Sequence, residues 1–448
     1  MRLRTLLFGT CSLAVCWTAF PAAASGQDPS GAAAPLRLDD VLRRAVSEHP
    51  LVRAAAARVD AARGGRRSAG AFANPIVAYQ VENAPFPGQT GVPGGDRESS
   101  LLATIPLEPL FQRGPRVERA NHEVRAAEAD LARVRREVAL EATRAFHRVA
   151  LAEIAIDADA DVQARLEELE AYNRARVSAG ATAESDLIRI QVERDRATTD
   201  VVLQRAELAR ARAELGAWIP GADADAAPLG TGHIGGAPPS VPPLADLLAT
   251  MRTSRPDLVA ARARADAARA ETAYQNRLTL RQLGATFGTK RVAGENTMVA
   301  GVSLALPLFD RNRGDVQRAS AERVAAEQEA AWTERRAAAQ LGGAYQATGL
   351  LLREAARLDG TFLNRAEESR RIALAAYREG AVSLLQVLDA SRTFAEARLS
   401  YFRTLFAARE SLLDLAAAAG LDPVDGLSGA TTSTSTSTNL PPRGGADR

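Results

Sequence analysis

The chain has 448 residues with only 5% aromatic side chains, and its 56 basic residues stand against 54 acidic ones for a formal net charge of +2. So few aromatics beside abundant alanine point to helices packed closely through small side chains rather than to a compact enzyme core, and interspersed charge without a basic block gives no nucleic-acid footprint. No window beyond the N-terminus supplies the ~18 consecutive apolar residues of a spanning helix, so any membrane crossing falls to strands closed into a barrel.

Arg2 and Arg4 precede an apolar stretch from Leu6 to Phe20, and Pro21 with Ala22, Ala23 and Ala24 supplies the small residues of a cleavage site. Residues 1–24 are therefore expected to be an export signal. Cys11 and Cys16, the only cysteines, both lie in it, which leaves a mature chain without disulfides or thiolate ligands. Lipidation at Cys16 is disfavoured because Val15 stands where a small residue is required.

A first repeat is expected over residues 36–219. It opens with a helix from Leu36 to Arg63, with Asp39 and Asp40 in the first turn and Gly64-Gly65 weakening its end. Pro75 to Glu82 then alternates, with Val77, Tyr79 and Val81 on one face, and Ser99 to Leu107 alternates with Leu101, Ala103, Ile105 and Leu107 on one face. Asn83 to Glu98 between them is rich in Gly and Pro, which makes a strand, long loop, strand unit. From Pro115 to Pro220 there is no proline, so about 65 residues of helix, on the order of 100 Å at ~1.5 Å per residue, run to Gly180, where the chain is expected to turn back. Leu131, Val134, Val138, Ala142, Ala145 and Val149 follow three-and-four spacing, and beyond the turn Leu187, Val201, Leu208 and Leu215 sit on a seven-residue grid that Arg194 interrupts.

Residues 220–243, rich in Pro and Gly, read as a linker, and residues 244–422 as a second copy of the same plan. Pro50 to Arg63 aligns without gaps to Pro256 to Arg269; Ile105-Pro106-Leu107 answers Leu306-Pro307-Leu308; Arg113-Gly114 answers Arg313-Gly314; and Gly180-Ala181 answers Gly380-Ala381. Landmarks recurring in one order indicate a duplication. The second strand pair is expected over Leu278 to Gly288, broken in phase by Arg281-Gln282, and Thr297 to Leu308, where Met298, Ala300, Val302, Leu304, Leu306 and Leu308 share a face, with a short loop from Thr289 to Asn296. The following helix carries Gly342-Gly343, Gly349 and Gly360, expected to bend or break it, and the last run carries Leu385, Leu399, Phe406 and Leu413 on a grid that Arg392 interrupts. Residues 423–448, with the Thr431 to Asn439 low-complexity run, are expected to be a disordered tail.

Strands of roughly 9 to 11 residues are long enough to cross an outer membrane when tilted, although a soluble sheet shows the same alternation and a long helical hairpin alone could be a periplasmic scaffold or adaptor. Four strands cannot close a barrel, because even small ones use about eight, and open edges are not tolerated in lipid. Several copies then have to pool their strands. Three copies give twelve strands in a symmetric tube.

Two strand pairs flanked by long helices, with Gly180 and Gly380 at the far turns, resemble the TolC-like outer membrane factor family over almost the whole mature chain. Gly301 to Gly314 (GVSLALPLFDRNRG) is similar to its cation-efflux branch, the CzcC-like partners of resistance-nodulation-division (RND) pumps, and Asn74-Pro75 fits the same branch, whereas Leu107 to Arg116 departs from the glycine-rich turn usual there. The resemblance implies a mainly α fold with a small β part: long helical hairpins forming a periplasmic α-barrel, and four strands per chain in a trimeric twelve-stranded outer-membrane β-barrel. It implies an exit duct for heavy-metal cations in the Gram-negative outer membrane, working with a periplasmic adaptor and an inner-membrane RND pump; the alternative is the same duct for organic drugs or type I secretion. It also implies an acidic gate after the second turn, where Asp389 holds one acidic position and Gln386 the other, so one gate charge is absent. Three Asp389 carboxylates around a narrow axis would repel each other and attract cations, a weak filter; on the residues alone Asp389 is equally an ordinary solvated helix carboxylate. Ala179, Gly180, Ala181 and Thr182 of the first tip, with Glu379, Gly380, Ala381 and Val382 of the second, are candidate adaptor contacts, small residues letting another hairpin approach, while a glycine at a helix end is also simply a stop signal. Asp186 holds the place corresponding to the gate after the first turn.

Catalytic chemistry is not in evidence. His49, His122, His147 and His233, the only histidines, have no second histidine at ligand spacing on a helix face, and Met251 and Met298 are the only methionines after the signal region. No metal site, cofactor, nucleophile elbow or phosphate loop is expected, and metal choice would rest with a pump rather than with this chain.

Overall fold

The computed structural model describes residues 36–88, 95–220, 240–278, 282–358 and 361–421. The expected export signal, almost all of the linker and the tail lie outside the described residues.

The first helical run is two helices, α1 (Leu38–Glu48) and α2 (Pro50–Gly70), not one. Pro50 forces the residue before it out of the helical region, and His49 sits extended at φ −63°, ψ 133°, its Nδ1 accepting from the Leu51 amide at 3.2 Å to cap α2. Gly64-Gly65 does not end α2, which continues to Gly70. The same device recurs: α5 (Leu244–Ser254) and α6 (Pro256–Arg277) are separated by an extended Arg255 ahead of Pro256.

Strands β1 (Ile76–Glu82), β2 (Glu98–Pro106), β3 (Leu283–Val292) and β4 (Glu295–Leu304) form one antiparallel sheet in the order β1-β2-β3-β4. Here the sequence reading of the third strand is corrected. Leu278 closes α6, and most of the residues assigned to the loop Thr289 to Asn296 belong to the ladder, down to Val292↔Glu295. The connection is just Ala293-Gly294, both at positive φ (49° and 92°), the backbone of a tight two-residue hairpin turn. β2 and β3 approach closely at Leu102↔Gly288, where a side chain on Gly288 would put its Cβ 2.0 Å from the Leu101 carbonyl oxygen.

From the sheet, α3 (Pro109–Ser178) runs to the first far turn and α4 (Glu184–Trp218) returns; α7 (Arg313–Leu358) and α8 (Thr361–Arg378) run to the second, and α9 (Leu384–Ala419) returns. At 70 residues α3 is about 105 Å long. It starts ahead of Pro115, which it tolerates because the Phe111 carbonyl, robbed of its helical donor by the proline, accepts from Arg277 Nη1 at 2.9 Å. Gly342, Gly343 and Gly349 do not break α7, which is continuous through them to Leu358; Gly360 lies outside the described residues.

Apolar clusters string along these helices. One joins Val138, Ala142, Ala145 and Val149 of α3 to Val41 and Val52 of the first helices and to Ala211 and Leu215 of α4. Another, near the far turns, joins Leu166 and Leu169 of α3, Ile190 of α4, Tyr377 of α8 and Leu384, Val387 and Leu388 of α9. The heptad grid is off by one at its last start: Leu384 is 4% exposed and Leu385 59%.

Candidate functional site: the two-faced sheet and the paired helical tips

Register, added to the two-residue period of a strand, sorts every side chain of the sheet onto one of two faces. Val77↔Ala103, Ala103↔Phe287 and Phe287↔Ala300 form one row across all four strands, and Tyr79, Leu101, Thr289 and Met298 form the next. This face also carries Ile105, Val302 and Leu304. Its large apolar residues are solvent-exposed, Val77, Tyr79, Met298 and Val302 most of all. The three apolar alternations read separately in β1, β2 and β4 thus come together as one continuous apolar surface with no protein over it.

The opposite face carries Ile76, Leu102 and Val299 but is otherwise small and polar. Gln80, Ser100, Gly288 and Thr104 share it with Thr286, Thr297, Gly301 and Ser303. Thr104 and Thr286 hydroxyls lie 2.9 Å apart across β2 and β3, and Lys290 pairs with Glu98 and stands 3.9 Å from Glu82. Both edges of the sheet, β1 and β4, lack a partner strand among the described residues. The arrangement is a wall segment: apolar outside, hydrogen-bonding inside, unfinished at both edges.

At the other end of the helices the two tips share one backbone design. Gly180 (φ 69°) and Gly380 (φ 77°) are left-handed, and the amides after them reach back five residues, Ala181 to the Arg176 carbonyl and Ala381 to the Ala376 carbonyl, both at 2.8 Å. These are Schellman stops, the role of a helix-ending glycine. Gly380 has open space where a Cβ would sit, so only its backbone conformation resists substitution. Gly380→Ala is expected to cost about 1 kcal/mol in thermal unfolding, with no change in helix content.

The residues singled out around the tips divide. Ala179, Gly180, Ala181, Glu379, Gly380 and Ala381 are exposed, Thr182 and Val382 half-buried. Gln386 serves the fold: its side-chain oxygen accepts from the Ser383 amide at 3.0 Å while Ser383 caps the helix in return, a complete capping box. Asp389, one turn on, is exposed and makes no hydrogen bond or ion pair among the described residues. Asp186 instead accepts from Thr182 Oγ1 at 3.4 Å.

Beneath the tips sits a polar network that spacing could not reveal. Arg194 breaks its grid in order to reach Glu170 of α3, at 2.6 Å; Glu170 is 4% exposed and also meets Arg174 and, at 3.1 Å, Gln191. The Gln191 hydrogen bond, with Arg194 and Arg174, holds the Glu170 carboxyl below its ordinary range. Arg392 breaks the other grid to pair with Glu193 of α4; that hydrogen bond, with Asp389 and Glu396 nearby, raises its guanidinium further. Tyr377 donates to Asn173 at 2.6 Å, tying α8 to α3. Far from the tips, α3 of the first repeat and α6 of the second bring His122 Nδ1 within 4.0 Å of Asp266; no group of three or more metal-binding side chains occurs among the described residues.

The chain matches the family described as outer membrane efflux protein over residues 247–421. It is 28% identical over 382 residues to the cobalt-zinc-cadmium resistance protein CzcC of Cupriavidus metallidurans, covering 84% of this chain and 88% of that one. Among solved structures it is similar to the outer membrane protein VceC of Vibrio cholerae (TM-score 0.69, 18% identity, 86% of this chain and 96% of that one) and to CusC (TM-score 0.70, 16% identity, 86% and 92%). At these identities the two structures speak for the fold alone: long helices with a four-strand antiparallel sheet.

Proposed function

Taking as premise that the chain is an outer membrane factor similar to the CzcC-like components, with its sheet in the Gram-negative outer membrane and its helices extending into the periplasm, we propose that three copies join into an exit duct for heavy-metal cations. The carrying observation is the two-faced sheet with both edges open. Its apolar face suits hydrocarbon, its polar face suits a water-filled interior, and lipid tolerates no unpaired strand edge, so β1 of one copy pairs with β4 of the next until twelve strands close. An exposed apolar stripe on α4, formed by Ile188, Val192, Val202 and Leu203, supports the same closure among the helices. The structural repeats then supply alternate sectors of the wall.

In this reading the chain is a passive duct rather than an enzyme, and a periplasmic adaptor engages the tips at 179–182 and 379–382 while an inner-membrane RND pump selects the cargo. The cation assignment rests on the likeness to a protein of cobalt, zinc and cadmium resistance. Deleting the gene is expected to sensitise cells to zinc, cobalt or cadmium more than to dyes and detergents; the reverse pattern would assign the duct to organic compounds.

Asp389 is the gate residue we propose, because its carboxylate is exposed one turn beyond Gln386, with the Arg392 charge nearby but no hydrogen bond or ion pair among the described residues. Across three copies the like charges favour cations at a narrow axis. In planar bilayers Asp389→Ala is expected to raise conductance and lower cation preference, and Gln386→Ala to destabilise the tip without changing selectivity. Unchanged selectivity in Asp389→Ala would remove the gate from this position.

A further inference from the structure

Where the helices meet the sheet, arginines gather, and they fall into two groups. Those behind the central strands are committed to the fold: Arg113 Nε donates to the Gly70 carbonyl and Arg116 to the Ala69 and Ala71 carbonyls, each at 2.8 Å, and Arg277 to that of Phe111. Those beside the two edges are not. Arg66 and Arg67 in the last turns of α2, and Arg311 and Arg313 where α7 begins, are exposed and make no hydrogen bond or ion pair among the described residues. The carboxylates nearest to the second pair are engaged, Asp310 with the Asn312 amide and Asp315 with Arg318.

Both edges show the same succession of side chains. From β4 outward come Leu304, Leu306 and Leu308, then Phe309, 99% exposed, then Arg311 and Arg313. Approaching β1 the order is reversed: Arg66 and Arg67, then Phe72, 65% exposed, then Val77 and Tyr79. Apolar, aromatic and cationic in turn is the profile of a bilayer from hydrocarbon through the headgroup boundary to the phosphates. Beside the second pair lies an open groove of ≈640 Å³, where Arg311, Arg313, Gln317 and Ser320 stand beside Val316 and Val324.

We infer that these four arginines form a docking collar for anionic phospholipid headgroups of the periplasmic leaflet. Guanidinium forks grip the phosphate, and the acyl chains lie against Phe72, Phe309 and the apolar face above them. Charge complementarity commits the surface to this occupant, since the cations pair with no carboxylate among the described residues and Phe72, Phe309, Leu306 and Leu308 lie between them and the apolar face. Antiparallel closure strengthens the case. The start of β1 and the end of β4 lie at the same end of the sheet, so each seam between copies brings the Arg66-Arg67 pair toward a neighbour's Arg311-Arg313 pair, and an anion between them relieves the repulsion. The inference rests on the membrane-wall reading above.

The test reconstitutes the full-length protein in vesicles of phosphatidylethanolamine alone or mixed with phosphatidylglycerol, then counts retained lipids by native mass spectrometry, with inorganic phosphate as competitor. Wild type is expected to retain phosphatidylglycerol preferentially. The Arg66→Gln/Arg67→Gln/Arg311→Gln/Arg313→Gln variant is expected to lose that preference by roughly tenfold or more while still conducting in neutral bilayers. Each double variant should lose part of it, which keeps the test informative if the quadruple variant assembles poorly. Equal retention by wild type and variants overturns the collar. So does displacement by inorganic phosphate at matched concentration, which assigns a free-anion site, and so does an absent lipid preference with arginines shielded from phenylglyoxal, which assigns the seam to a neighbour's carboxylates. Failure to insert into any vesicle would instead strike the membrane reading itself.

Discussion

Gly288→Ala is expected to keep the sheet from forming, while Gly301→Ala is expected to be nearly silent. Both glycines lie on the polar face, on neighbouring strands. The difference is what a methyl group meets: at Gly288 its carbon falls 2.0 Å from the Leu101 carbonyl oxygen and 2.9 Å from the Leu102 Cα, and at Gly301 it meets nothing within 4 Å. Real Cβ atoms do not approach backbone so closely, and backbone on both sides of a ladder cannot yield as a flexible side chain would. β2 and β3 must therefore separate, and they join the two halves of the sheet. A loss on the order of 3 kcal/mol is expected, as for overpacking a rigid site. Thermal unfolding in detergent, with the yield of membrane-inserted protein beside it, measures both variants; equal behaviour of the two would mean that the strands do not pack as described.

The second large effect is expected at Glu170. Its carboxylate is almost fully buried between α3 and α4 and satisfied by Arg174, Gln191 and Arg194, so Glu170→Ala removes three contacts at once and leaves Gln191 unpaired while Arg194 keeps only Asp195. Losing the hydrogen bonds of the buried carboxylate costs about 2 kcal/mol, less than for a fully buried pair because Arg194 is 31% exposed and keeps Asp195, and Glu170→Leu/Arg194→Met is expected to recover most of the loss. The pH dependence has a definite sign. Because the folded carboxyl titrates below its ordinary value, the stabilisation is complete above the usual glutamate range and is lost as pH falls through the lower folded value. Wild type should therefore lose stability on acidification in a way that Glu170→Gln does not. Melting temperature against pH for the two proteins checks it.

Much of this architecture was legible because it is periodic. Alternation in β1, β2 and β4 identified the apolar residues that register then aligned on one face, and the duplicated landmarks placed both far turns at their glycines. What escaped depended on partners distant in sequence. The third strand was misplaced because Lys290 and Arg291 look like loop, yet Lys290 is held in the ladder by Glu98 and Glu82, and because a non-glycine residue, Ala293, takes positive φ in the turn. The split at His49 was announced by Pro50 but passed over in a long helical pattern. Arg194 and Arg392 registered as breaks in a grid, and nothing in heptad spacing announces Glu170 or Glu193 on the facing helix. Gln386, a gate position in the sequence reading, is likewise explained only by its partner, since its side chain closes a capping box with Ser383.

The account depends most on identical copies completing one wall, and cysteine cross-linking tests that directly. Val77 and Ala300 lie in one row of the sheet, three strand spacings apart, about 14 Å, which is beyond the reach of a disulfide within one chain. With Cys11 and Cys16 changed to serine, Val77→Cys is combined in turn with Met298→Cys, Ala300→Cys and Val302→Cys to sample the unknown register. At least one combination should give covalent dimers and trimers on a denaturing gel, and nothing larger. Monomers from every combination in membrane-inserted protein would contradict it.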